Sequence, residues 1–219
     1  MMLKWNWEYA WSILPKLLEV VPVTVGAALF GFILAMLLAL PITLGKRVQH
    51  KAISQSVSFL AELIRSTPLL IQLLFVFYAL PMYGISLSPF TAGVIGLGIH
   101  YATYLAEVYR SGIEAVPSGQ WEAAKALNFT PQQTWLRLIL PQALPPVLPV
   151  MGNYLIVMFK ETPILSAVTL VEMLQTAKSL GSASFRYIEA FTLVGLLFLI
   201  MSCISSLLLK RLEIRLARK

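Results

Sequence analysis

The sequence predicts an all-α membrane protein with five transmembrane helices, and three observations lead to this fold class. Of the 219 residues, 58% are apolar and only 12% are charged. The mean hydropathy is +0.78. The apolar residues form stretches long enough to cross a hydrocarbon core of roughly 30 Å as helices. A soluble domain could not solvate this composition, so we expect a single transmembrane domain, residues 1–219.

The first two predicted spans cover residues 20–44 and 54–80, and a short basic turn separates them. The first span contains no charged residue. The second contains Glu62 and Arg65, which lie one helical turn apart and can pair. It also contains Thr67-Pro68, where a proline can free backbone carbonyls for a polar ligand.

Arg65 is the charge that lies nearest the middle of a predicted span. A charge inside a membrane is costly unless it is paired or faces water, so it usually marks a polar pathway. An ion pair with Glu62 or with Glu107 that only holds helices together is an equally good interpretation. The functional and the structural interpretation of Arg65 both stay open. Glu107 and Arg110 lie near the end of their span and can pair locally.

The remaining three spans are predicted at residues 90–109, 143–159 and 188–209. Small residues in the third span let helices approach closely; they are Gly93, Gly96, Gly98, Ala102 and Ala106. Prolines at the start of the fourth span predict a broken or kinked helix; they are Pro141, Pro145, Pro146 and Pro149. A longer connection of mixed polarity precedes the fifth span.

Basic residues predict the orientation, because short loops rich in lysine and arginine stay cytoplasmic. One side would hold eleven of them: Lys46, Arg47, Lys51, Arg110, Lys125, Arg137, Lys210, Arg211, Arg215, Arg218 and Lys219. The other side would hold four: Lys4, Lys16, Lys178 and Arg186. Five spans with the N-terminus outside and the C-terminus inside satisfy this asymmetry.

Residues 117–141 form the only long polar island between the apolar segments, and they predict two short helices joined by a turn. Ser118 is suited to cap the first helix, and Asn128 is suited to end it in the left-handed conformation. Thr130, Pro131 and Gln133 have the spacing of a capping box at the start of the second helix. An apolar side is expected on the first helix and the turn, formed by Trp121, Ala124, Leu127 and Phe129.

This island resembles the EAA loop of the membrane-spanning permease subunits of bacterial ABC importers. The resemblance rests on Glu122-Ala123-Ala124, on Asn128 and on residues 138–141 (LILP). Asn128 stands where the family has glycine, and Leu138 where it often has isoleucine. Residues 65–75, 106–127 and 160–166 are similar to the polar amino-acid uptake branch. The resemblance implies that Glu122, Ala123, Ala124 and Asn128 couple the permease to an ATPase.

The resemblance further implies an ATP-driven importer in the bacterial inner membrane, for an amino acid or an amino-acid-like zwitterion such as ectoine. Its partners would be a cytoplasmic ATPase dimer, a second permease subunit and an external solute-binding protein. The resemblance places Lys160-Glu161-Thr162 beside the translocation pathway, where Arg65, Thr67 and Glu107 are the other candidates. An anchor at the outer membrane interface is the alternative for residues 160–162.

Several other functions are not supported by the sequence. There is no aspartate, no G-x-x-x-x-G-K-[ST] phosphate loop and no H-E-x-x-H motif. We therefore expect no cofactor and no ATP hydrolysis by this chain itself; the resemblance implies a transport subunit with ATP hydrolysis in partner subunits. His100 is best interpreted as a hydrogen-bonding residue between helices, and Cys203 as a core residue. Basic residues are dispersed, which argues against nucleic-acid binding. A stand-alone channel or an ion-coupled carrier is the rival transport function.

Overall fold

The computed structural model describes residues 5–217, and all regular structure in this range is helical. Lys4, Arg218 and Lys219, which entered the charge comparison, lie outside the described residues. The helices are α1 (Trp7–Glu19), α2 (Val21–Arg47), α3 (Lys51–Ser66), α4 (Leu69–Leu74), α5 (Pro89–Glu114), α6 (Ser118–Ala126), α7 (Pro131–Gln133), α8 (Leu140–Glu161), α9 (Met173–Ser184) and α10 (Tyr187–Ala217).

Four irregular helical turns extend these elements. Two follow α4, a π-helical turn at Phe75–Ala79 and a 3-10 turn at Leu80–Tyr83. A π-helical turn at Thr134–Ile139 joins α7 to α8, and a 3-10 turn at Thr162–Val168 follows α8. The prolines that predicted a broken start, Pro145, Pro146 and Pro149, lie inside α8. The irregular geometry lies before them.

The fold is organised around the pairing of α2 with α5, and small residues allow these helices to pack closely. A Cβ atom at Gly98 would lie 2.6 Å from the side chain of Leu34, and one at Gly31 would lie 3.0 Å from Leu97. Ala102 and Ala106 are fully buried on the same helix. The sequence-based prediction of close packing by the small residues of the third span is confirmed.

Within residues 5–217, three helical segments are long and apolar enough to cross a membrane: Trp7–Arg47, Pro131–Val168 and Tyr187–Arg215. A fourth is added if α3 and the segment Leu69–Tyr83 count together, although the chain bends there by 100°. The predicted second span is therefore not a straight helix, because the chain turns at Thr67-Pro68. Helix α5, the predicted third span, lies outside this set. The count of five spans remains a prediction.

The end of the molecule that carries the N-terminus of α10 is closed by long-range hydrogen bonds. The backbone N–H of Asn6 donates to Glu189 Oε1 at 2.9 Å, and the hydroxyl of Tyr9 donates to the carbonyl of Leu180 at 3.0 Å. Glu172 is fully buried and caps α9 by accepting from two backbone N–H groups. Burial raises the pKa of this carboxyl above its ordinary value.

Candidate functional site

The polar island forms the two short helices that its sequence predicts. Helix α6 ends before Asn128, which has a φ of 53° in the left-handed region. Thr130 Oγ1 accepts from the backbone N–H of Gln133 at 3.2 Å, and Gln133 Oε1 accepts from the backbone N–H of Thr130 at 2.9 Å. The predicted turn and capping box are both confirmed, and they hold the chain at a fixed angle between α6 and α7.

One detail of the predicted helix start is wrong. Ser118 does not cap α6; it is the first residue of the helix, and the cap position belongs to Pro117 without a side-chain hydrogen bond. The reason is that Pro117 has φ −54° and ψ 140°, so the chain leaves the helical conformation one residue earlier than the serine predicts. The predicted apolar side is also only partly correct, because Leu127 is 68% exposed.

A small apolar core fixes the island to the rest of the molecule. Ala124 is buried, and the rings of Trp121 and Trp135 meet edge to face with centroids 5.3 Å apart. These rings pack against the buried residues Val116, Ile139 and Ala143. The guanidinium of Arg47, at the end of α2, lies 6.0 Å from the centroid of Trp135. The buried face of the island is therefore anchored to the rest of the protein, while Glu122, Ala123 and Lys125 remain exposed.

A second region of interest lies at the bend between α3 and α4, where a cavity of about 430 Å³ opens. Its lining consists of Arg65, Ser66, Thr67, Pro68, Leu69, Leu70, His100, Tyr104, Glu161 and Ile164. Three segments far apart in sequence thus contribute a cation, a carboxylate and an imidazole to one cavity. Three of the predicted pathway residues, Arg65, Thr67 and Glu161, lie together there, whereas Lys160, Thr162 and Glu107 do not line it.

The polar groups freed by the bend are satisfied inside the protein. Thr67 Oγ1 lies 3.0 Å from the carbonyls of both Leu63 and Ile64. Gln72 Nε2 donates to the carbonyl of Ile64 at 2.6 Å and lies 3.1 Å from the carbonyl of Thr67. Gln72 Oε1 lies 3.2 Å from Nδ1 of His100 on α5. Gln72 therefore stabilises the bend and connects it to α5.

Arg65 makes both of the ion pairs that its structural interpretation offered as alternatives. It pairs with Glu62 on its own helix, and its Nη1 lies 3.6 Å from Glu107 Oε1 on α5. Glu107 has closer partners: Lys46 at 2.5 Å and Arg110 at 2.7 Å. Because two other cations neutralise Glu107, Arg65 can turn toward the cavity without leaving that carboxylate unpaired.

The segment 160–162 separates into three environments. Glu161 lines the cavity, and its Oε2 accepts from the hydroxyl of Tyr101 at 2.6 Å. Thr162 is fully buried, and its hydroxyl donates to the carbonyl of Phe159 at 2.8 Å. Lys160 is exposed. The side chain that can meet a ligand in this cavity is Glu161.

Comparisons with known proteins decide the family. The sequence profile of the binding-protein-dependent transport system inner membrane component matches residues 27–218. The chain belongs to this family. A probable amino-acid ABC transporter permease protein of Sinorhizobium fredii is 42% identical over 211 residues, which cover 96% of this chain and 91% of the relative. An L-cystine transport system permease protein of Bacillus subtilis is 31% identical and covers 88% of this chain, with 83% of its own length matched.

A solved structure agrees with this membership. The crystal structure of an amino acid ABC transporter with histidines shares 33% sequence identity with this chain, with a TM-score of 0.91. The match covers 97% of this chain and 100% of that chain. The resemblance to permease subunits of ABC importers is thus confirmed. As a binding-protein-dependent transport component, the chain is a transport subunit, and the apolar helices fit a multi-pass membrane protein.

Sequence reasoning missed three residues of this permease that contact the predicted pathway residues Thr67, Glu161 and Glu107. Gln72 lies inside an apolar run of the sequence. A single amide in such a run indicates a hydrogen-bonding role inside the protein. Tyr101 follows His100 directly, and its role depends on Glu161, which lies 60 positions later. Lys46 was used only as one of the basic residues that predict the orientation, whereas its ammonium is the nearest cation to Glu107.

Proposed function

We propose that this chain is the permease subunit of an ATP-driven importer for an amino acid or an amino-acid-like zwitterion, including compatible solutes such as ectoine. It works in the bacterial inner membrane with a second permease subunit, the same or homologous. A cytoplasmic ATPase dimer drives it, and an external solute-binding protein delivers the substrate. The observation that carries the proposal is the anchored, capped island at 117–141, in a family whose relatives include amino-acid ABC transporter permeases.

The island is proposed as the site that docks on the ATPase. Glu122 and Ala123 are exposed on α6, whereas Ala124 is buried and holds the helix against the rest of the protein. Asn128 sets the angle at which α6 meets α7. A rigid two-helix loop transmits movement of the ATPase to the transmembrane helices better than a flexible one, because a rigid loop does not deform when its tip is displaced. A stand-alone channel or an ion-coupled carrier has no use for such a loop, and no observation favours that rival.

The cavity at the α3–α4 bend is proposed as part of the translocation pathway. Arg65 would bind the carboxylate of a zwitterion, and Glu161 its ammonium group. Thr67, Glu107 and Thr162 would support these two side chains rather than contact the substrate, and Lys160 would lie on the exposed side of α8 beside Glu161. A charge-assisted hydrogen bond in a partly dehydrated cavity contributes about 1.5 to 3 kcal/mol, against about 0 to 1 kcal/mol for an exposed pair.

The proposed topology has five spans in one transmembrane domain, with the N-terminus outside and the C-terminus inside. Reporter fusions test it. They should read cytoplasmic after Gln49, Gln133 and Lys219, and external after Gly84 and Ser182. An external signal after Gln133 would place the island away from any cytoplasmic ATPase, and the coupling proposal would then fail.

The function itself is tested by reconstitution. The permease is co-purified with its cognate ATPase and solute-binding protein, and the complex is placed in liposomes. Uptake of labelled L-arginine, L-histidine, L-glutamine, L-cystine and ectoine is then measured with and without ATP. We expect ATP-dependent uptake of at least one of these solutes, and a thermal-shift screen of the binding protein should select the same solute. Uptake without ATP or without the ATPase subunit would instead identify a carrier.

A further inference from the structure

The orientation of the Gln72 side-chain amide, which contacts the cavity residues Thr67 and His100, determines which nitrogen of His100 carries a proton. Gln72 Nε2 lies 2.6 Å from the carbonyl oxygen of Ile64 and 3.1 Å from that of Thr67. Carbonyl oxygens only accept hydrogen bonds, so the NH₂ group must face them, and the reverse orientation would bring two oxygens into contact. Gln72 Oε1 is therefore the atom that faces His100, and it too can only accept.

It follows that Nδ1 of His100 is the donor in the 3.2 Å contact with Gln72. In a neutral imidazole, a proton on Nδ1 leaves the lone pair on Nε2. The rings of Tyr101 and Tyr104 pack against the imidazole, each with its centroid 5.3 Å away, and hold it in this orientation. The bend at Thr67-Pro68 thus sets the tautomer of a histidine on another helix.

Nε2 of His100 is a hydrogen-bond acceptor that the protein leaves free. No hydrogen bond engages it within residues 5–217, although the residue is only 8% exposed. It is not sealed in the interior, because the buried side-chain nitrogen and oxygen atoms without a partner in this range belong to Trp5 and Thr176. His100 lines the same cavity as Glu161. An acceptor that is held in place and open to a cavity is suited to a ligand donor.

We propose that His100 Nε2 is a substrate-binding acceptor that acts together with Glu161, so that the cavity selects ligands whose cationic group carries at least two N–H bonds. One hydrogen would go to Glu161 and another to Nε2. Primary ammonium, guanidinium and cyclic amidinium groups meet this requirement, whereas a quaternary ammonium does not. This inference rests on the proposed function, because it assigns specificity within the proposed pathway. Gln72 is a positioning residue, since it acts only through the imidazole.

The tautomer can be observed directly, because the chain contains only two histidines. A His50→Gln background leaves His100 as the only source of imidazole signals. In an assembled permease–ATPase complex in which only this chain is labelled with ¹⁵N-histidine, we expect protonated Nδ1 and unprotonated Nε2 at neutral pH. Adding L-arginine or L-glutamine, whichever is transported, should shift the Nε2 resonance, and glycine betaine should not. A proton on Nε2 in the free complex, or an Nε2 signal unmoved by the transported amino acid, would overturn the proposal.

Transport kinetics give the second measurement. His100→Phe keeps an aromatic ring but removes the acceptor, and we expect KM to rise about tenfold with little change in kcat. Tyr109→Phe is the matched control on the same helix; its hydroxyl contacts the carbonyl of Met36, away from the cavity, so its KM should stay unchanged. Gln72→Met should raise KM with His100 intact and should abolish the tautomer preference. An unchanged KM in His100→Phe contradicts the inference, whereas absence of any uptake by the parent complex contradicts the proposed function instead.

Discussion

The island at 117–141 and the cavity at the α3–α4 bend both contain many polar residues, but they differ in whether the polar side-chain atoms have hydrogen-bond partners. In the island, Thr130 and Gln133, three positions apart, form reciprocal hydrogen bonds between side chain and backbone, and the exposed side chains project from the surface. In the cavity, Glu161 keeps one oxygen and His100 one nitrogen without a hydrogen bond in the described part of the chain. The first arrangement presents a rigid surface, and the second receives a ligand.

This contrast gives each region a distinct expected failure. Damage to the surface of the island should disconnect ATP hydrolysis from transport while the cavity still binds substrate. Damage to the cavity should weaken the substrate dependence while the ATPase still docks. Measuring ATPase activity, uptake and substrate KM on the same complex therefore separates the two roles.

The largest effect is expected from reversing the charge of Glu122. Glu122→Arg changes an exposed residue in the middle of the proposed docking surface, so uptake should fall to background and the ATPase should detach or become uncoupled. Lys125→Glu, also exposed on α6, is the matched control and should retain more uptake. The double change Glu122→Arg with Ala124→Asp should give the same loss, but it also buries a charge, because Ala124 is only 1% exposed. Normal coupling in Glu122→Arg would remove the docking role.

The next effect is expected in the cavity. Glu161→Gln keeps the shape of the side chain and removes its charge, so uptake should fall about tenfold or more while substrate-free ATPase activity is retained. Lys160→Met is the neighbouring comparison, and its exposed position predicts a smaller loss. If both variants transport normally and only the thermal stability of the complex falls, residues 160–162 are a structural anchor.

The two regions also differ in how much of them the sequence could predict. The capping box and the turn at Asn128 depend on neighbours within about one helical turn, so residue type and spacing were sufficient. The cavity depends on contacts between Gln72 and His100, 28 positions apart, and between Tyr101 and Glu161, 60 positions apart. Such contacts follow from the packing of α4, α5 and α8, which local periodicity does not specify.

Two individual residues show different causes. Arg65 had two equal interpretations because Glu107 and the cavity residues His100 and Glu161 lie on other helices. The structure supplies both the pairs with Glu62 and Glu107 and a place in the cavity wall. Ser118 was misplaced by one residue because the extended backbone of Pro117 starts the helix earlier than the serine alone suggests. Helix boundaries depend on such single backbone angles.

A smaller effect is expected at the turn between α6 and α7. Asn128 has a φ of 53°, which costs a β-branched residue about 1–2 kcal/mol but is easily adopted by glycine. Asn128→Val should therefore loosen the angle between the helices and reduce ATP-dependent uptake, whereas Asn128→Gly should keep it. Cross-linking of the island to the ATPase reports the geometry. Equal uptake by the valine and glycine variants would show that the angle is not needed for coupling.

The smallest effect is expected from removing the capping box alone. Thr130→Ala deletes the side-chain acceptor for the N–H of Gln133, which costs about 1 kcal/mol of local helix stability. Because the contact between Trp121 on α6 and Trp135 in the π-helical turn before α8 remains, the island should stay folded, with faster hydrogen exchange confined to residues 130–134. Thr130→Ser retains the acceptor and should exchange at the parent rate. Uptake should fall only slightly in Thr130→Ala. A loss as large as that of Glu122→Arg would mean that the island transmits force through the cap itself rather than through its anchored apolar core.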